Sequence, residues 1–175
     1  MILGLNQNQK NNFVKNLFLC YLTKRIKIML EKFLLLALFG IAMAHLEGVV
    51  VVYLRKMLGI TNSESNEMSI DKFPKHYLFI EKTREAATIL MLVSLTLLVG
   101  ETWLDKIVVF LWTFAFWDLF YYFSLYLLIK WPPNLTTIDV LFLIPKPWIT
   151  PVWVPIGISC FTIIIIIVLY LFSIL

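Results

Sequence analysis

The chain has 175 residues, 61% of them hydrophobic and only 15% charged, with a formal net charge of +4. Soluble domains carry about 25% charged and about 45–50% apolar residues, so this composition excludes an ordinary water-soluble domain. The basic residues flank apolar runs and form no stripe with interleaved aromatics, which argues against a nucleic-acid partner and for the lipid bilayer as solvent.

Residues 1–32 form a basic N-terminal segment. After a polar start, "FVKNLFLCYLTKRIKIML" places Phe13, Leu17, Cys20, Tyr21 and Lys24 at helical spacing. This pattern fits an amphipathic helix on the membrane surface, or equally an extended leader. Cys20 and Cys160 are far apart and lack the spacing of a metal or redox pair.

Residues 33–175 read as a membrane domain with four spans. The first is 33–54, whose 22 residues reach about 33 Å at about 1.5 Å each, close to a bilayer core. Lys24, Arg25, Lys27 and Lys32 precede it, and Arg55 and Lys56 follow it. All six read as headgroup anchors. "AMA" before His45 also fits a signal-peptide cleavage site after Ala44, but the apolar run continues through Val49–Leu54, which favours an uncleaved anchor.

A polar loop, "GITNSESNEMSIDKF", leads to the second span, 74–99, with Pro74 in its first turn and Asp71 as a nearby cap. The third span is 107–129, rich in Trp and Phe, and the fourth is 152–175. Between them, "KWPPNLTTIDVLFLIPKPWITPVWVP" holds six of the seven prolines. Its apolar piece, 138–144, is too short to span, and Pro145 and Pro147 stop a helix there. It reads as a re-entrant or interfacial segment, tolerated at depth only when covered by protein. The fold class is therefore an all-α integral membrane protein. The density of "KRIKIMLEK" beside the first span favours both termini on the cytoplasmic side of the cell membrane.

Several polar residues interrupt the apolar runs. On the first span, Gly40, Ala44 and Gly48 recur every four residues and form a face that lets another helix approach closely. His45 and Glu47 flank that face on opposite sides, about 200° apart, so they are not a helical metal-ligand pair. On the second span, Glu81, Arg84, Glu85 and Thr88 share a face, and Glu81–Arg84 has ion-pair spacing. On the third, Asp118 lies near the midplane, with Thr113, Trp117, Tyr121 and Ser124 on its side as hydrogen-bond donors. An isolated charge there costs roughly 2.5–3.5 kcal/mol on insertion scales, so a partner is expected: Arg84 first, His45 next.

The expected site is a buried cluster of His45, Glu47, Glu81, Arg84, Glu85 and Asp118, with Asp139 and Tyr121 as additional members. Four carboxylates against one Arg and one His leave excess negative charge, which a proton or a cation would balance. Three functional classes follow. One handles protons or ions, or serves as an accessory subunit of a larger membrane complex or homo-oligomer. Another is a membrane-embedded enzyme acting on a lipid or other apolar substrate. It would hold a divalent metal on His45, Glu47, Glu85 and Asp118, although two histidines are a thin supply and Arg84 would repel a cation. The third is a purely structural polar network.

Overall fold

The computed structural model describes residues 7–57 and 75–174. Four helices run in chain order: α1 (Gln7–Met57), α2 (Lys75–Val99), α3 (Trp103–Ile129) and α4 (Trp153–Ile174). Two short strands, β1 (Ile138–Phe142) and β2 (Trp148–Pro151), lie between α3 and α4. The polar loop, Asp71 and Pro74 lie outside the described residues.

The chain divides into two units, residues 1–35 and 36–175. The described part of the first is helical from Gln7. Its exposed Leu17, Phe18 and Leu19 are consecutive, so at about 100° per residue they spread around the helix instead of forming one apolar face. Lys27 and Glu31 pair on its surface at 4.0 Å. The helix continues without a break through Ala44 and His45.

Among the described residues, three helical stretches are long and apolar enough to cross a membrane: Lys15–Met57, Trp103–Ile129 and Trp153–Leu171. Helix α2 has the length but carries Glu81, Lys82, Arg84 and Glu85 in its first half. Much of the apolar surface stays uncovered by protein. Ile164, Leu169 and Leu171 on α4 are all more than half exposed. Soluble monomers rarely show an apolar surface of this extent, and the molecule is a mostly helical membrane protein.

Helix α3 is central to the second unit. Thr102 caps its start, its hydroxyl accepting from the Asp105 N–H at 3.2 Å, with Asp105 in the first turn where the helix dipole favours an acid. It ends at Lys130, whose left-handed φ of 58° and N–H to the Tyr126 carbonyl close the last turn. Trp131-Pro132-Pro133 then prevents continuation. The small-residue face of α1 lies against α3. A Cβ on Gly40 would stand 2.8 Å from the Thr113 carbonyl oxygen, and one on Gly48 would stand 3.1 Å from the Ser124 Cβ. Ala44 between them is wholly buried. The core forms around this contact. Met43, Ala44, Leu92 and Trp117 make one cluster, and Val51, Tyr122, Leu125, Trp131 and Val152 make another.

The fold is mostly helical, and the proline-rich segment adds the only strands among the described residues. It forms an antiparallel hairpin in which Ile138 faces Pro151, Asp139 faces Thr150, Val140 faces Ile149 and Phe142 faces Trp148, with a bulge between Val140 and Phe142. Both strands are rich in β-branched and aromatic residues, and the Pro145-Lys146-Pro147 turn separates them. The prolines that forbid a helix are compatible with the ends of short strands. Val152 N–H to the Thr137 carbonyl at 3.0 Å and Trp153 N–H to Leu135 at 2.9 Å tie the hairpin's base to the start of α4.

Candidate functional site

A cleft of about 980 Å³, its open mouth included, lies within the second unit between α1, α2, α3 and the hairpin. Its walls are apolar at Val51, Leu54, Leu78 and Leu141, and charged at seven other positions.

Glu47 is the most heavily bonded of these. It is 5% exposed, pairs with one arginine and accepts hydrogen bonds from two donors on two helices. Arg84 and Thr88 on α2 reach Oε1, the threonine hydroxyl at 3.3 Å. The Trp117 indole N–H on α3 donates to Oε2. Arg84 also pairs with Glu81 one turn earlier, its Nε 2.9 Å from Oε1. One guanidinium thus bridges α1 and α2 and serves two carboxylates, a use of its forked donors that an ammonium would not match.

Glu85, one turn on and 6% exposed, faces the hairpin. It accepts the Leu143 N–H at 2.8 Å and the Ile144 N–H at 3.3 Å. These amides lie just beyond β1, so the carboxylate fastens the hairpin over the cleft. Asp139 on β1 is 4% exposed and accepts the Tyr122 hydroxyl at 3.0 Å. Burial pushes its carboxyl above the ordinary range, opposed by the nearby Arg55 charge, the tyrosine and the Val140 N–H.

Asp118 is 7% exposed. Its expected ion pair with Arg84 does not form. Arg84 is occupied by Glu47 and Glu81, and Asp118 instead accepts one bond, from the Ser159 hydroxyl on α4 at 2.8 Å. The expected donors on α3 are also engaged elsewhere. Thr113 donates to the Val109 carbonyl, Trp117 to Glu47, and Ser124 lies 3.3 Å from His45 Nδ1. Tyr121 lines the cleft beside Asp118.

The structure thus brings together Glu47, Glu81, Arg84, Glu85, Asp118, Tyr121 and Asp139, and leaves His45 out. His45 is exposed on the outer edge of α1, where its roughly 200° offset from Glu47 puts it. Among the described residues, no three His, Cys, Asp or Glu side chains are grouped to hold a metal ion. The ligand set His45, Glu47, Glu85 and Asp118 is therefore not assembled: His45 lies outside the cleft, and Glu47 and Glu85 spend their oxygens on N–H and O–H donors.

Sequence reasoning missed three residues, Arg55, Tyr122 and Ser159. Arg55 looks like a headgroup anchor beside Lys56, yet it is 8% exposed and lines the cleft with its guanidinium carbon 4.0 Å from the Trp131 ring centroid. Its position eight residues after Glu47, about 80° around the helix and within the same broad stripe, was the available signal. Ser159 sits in an Ile-rich helix and carries no signal of its own. No protein-family model, curated protein or solved structure matches this chain. The fold and the cleft define it as a helical membrane protein with an open cleft rich in buried carboxylates.

Proposed function

We propose that the cavity takes up protons or a cation, and that the protein works in proton or ion handling or as an accessory subunit of a larger membrane complex. The observation that carries this reading is the charge of the cleft. Five carboxyl groups (Glu47, Glu81, Glu85, Asp118 and Asp139) face two guanidinium groups, Arg55 and Arg84. Fully ionised, these leave a net charge of −3. A largely apolar surrounding does not hold three uncompensated charges, so protons or a bound cation make up the difference.

The carboxyls divide the work by their partners. Glu47 and Glu85 hold helices and hairpin together through several donors each. Asp118 has a single hydroxyl donor and no cation within ion-pair distance among the described residues, and it is the group we assign to the exchangeable proton or cation. In this reading α2 is a fourth helix at membrane depth, its charged half turned toward α1 and the cleft. Both termini face the cytoplasm across the cell membrane.

The test is proton counting on the detergent-purified protein. In weakly buffered solution with an indicator dye, the wild type binds more protons on acidification than Asp118→Asn, and added sodium, potassium or calcium chloride releases protons if a cation competes for the site. Equal proton uptake by both proteins, with no release by any of the three salts, would overturn the proposal and leave a purely structural network.

A further inference from the structure

The Arg55 end of the cleft is built differently from the rest. Arg55 is 8% exposed, and its guanidinium lies over Trp131, which is itself 6% exposed. Its Nε is fully buried and has no hydrogen-bond partner among the described residues. None of the ion pairs among those residues includes it. A buried guanidinium normally spends its five donors on carboxylate, phosphate or carbonyl oxygens, because leaving them unpaired in a low dielectric is costly. The aromatic ring attracts the cation but satisfies no N–H.

The neighbouring carboxylate does not fill this need. Asp139 acts on Arg55 through space, but its bonds go to the Tyr122 hydroxyl and the Val140 N–H. Burial also drives its carboxyl toward the neutral form, which leaves the guanidinium charge less balanced. Around this end the lining is apolar at Leu54, Val140 and Leu141. A cation stacked on an indole with its Nε unpartnered, at an end of the cleft walled by Leu54, Val140 and Leu141, matches a phosphate oxyanion carried by something with an apolar body.

We propose that Arg55, stacked on Trp131, binds the phosphate group of an amphipathic ligand seated in the cleft. Trp131 holds the guanidinium plane in place. The fork donates to two phosphate oxygens, and the chains of the ligand lie along the apolar wall. This proposal concerns a different residue from the proton site, within the same cleft, and protonation of the carboxyls there favours the anion.

The test is isothermal titration calorimetry of the detergent-purified full chain with three probes: dioctanoylphosphatidic acid, dioctanoylglycerol without the phosphate, and inorganic phosphate. The wild type should bind phosphatidic acid at least about tenfold more tightly than dioctanoylglycerol, the scale of a charge-assisted hydrogen bond. Arg55→Gln should remove that preference. Arg55→Lys, which keeps the charge and loses the fork, should fall between. Inorganic phosphate binding as tightly as the lipid, and sensitive to Arg55→Gln, would identify a free anion as the source. The proposal is overturned if wild type binds neither phosphate probe, if dioctanoylglycerol binds as tightly as phosphatidic acid, or if both Arg55 variants bind as wild type does. Circular dichroism and gel-filtration profiles check that each variant folds. Should Arg55→Gln fail that check, Arg55→Lys decides the matter.

Discussion

Arg84 holds the most consequential position at the scale of single residues. It bridges two carboxylates, and Glu47, buried at 5% exposure, depends on it for charge balance. Removing one partner of a buried pair typically costs about 3–5 kcal/mol, because the other charge is left behind, whereas neutralising both is far milder. Arg84→Gln should therefore lower the thermal midpoint in detergent sharply, and Arg84→Gln with Glu47→Gln should recover most of the loss. A double variant as unstable as the single one would show that Arg84 acts through packing. The residue-scale pattern was partly legible in advance. The face shared by Glu81, Arg84, Glu85 and Thr88 follows from helical spacing alone, and so does the separation of His45 from Glu47. The partner of Asp118 was not legible, because Ser159 is 41 positions away and only tertiary packing brings it there.

Two contacts between elements hold the cleft in shape. The first is the α1–α3 approach at Gly40, where any side chain meets the backbone of Thr113. Gly40→Leu should push the helices apart and cost about 1–3 kcal/mol as an overpacked contact. Gly48→Ala, whose closest contact is the Cβ of Ser124 at 3.1 Å, should cost less. Thermal unfolding of both variants would rank them, and the reverse order would contradict the packing described. The second contact is the fastening of the hairpin by Glu85. Hydrogen bonds to charged groups contribute about 1.5–3 kcal/mol, so Glu85→Ala should speed amide exchange at Leu143 and Ile144 by at least about tenfold while amides within α3 stay protected. Unchanged exchange at both amides would mean the hairpin is held by other contacts. The small-residue face could be read from its four-residue period. The hairpin could not, because seven apolar residues between prolines suit an interfacial segment as well as a strand, and only cross-strand pairing separates the two.

Across the whole molecule, the bilayer assignment rests on composition and on three apolar helices whose outer surfaces are bare. The cleft explains how the charged first half of α2 is accommodated: its acids and its arginine turn inward, toward Glu47 and the hairpin, and away from the apolar exterior. Arg55 shows where such reading fails. At the end of an apolar run, beside Lys56, a basic residue looks like a headgroup contact, and only the fold of Trp131 back onto it reveals a buried position. The central claim is that this enclosed set of carboxyls holds an exchangeable proton or cation, with Asp118 as its site. Infrared difference spectroscopy of the protein in lipid nanodiscs, on stepwise acidification, tests it most directly. The account predicts a carboxylic C=O band in the wild type that is absent from Asp118→Asn and that responds to pH or to the cation present. Identical spectra from the two proteins, or no carboxylic band in the wild type at any pH where it stays folded, would contradict it.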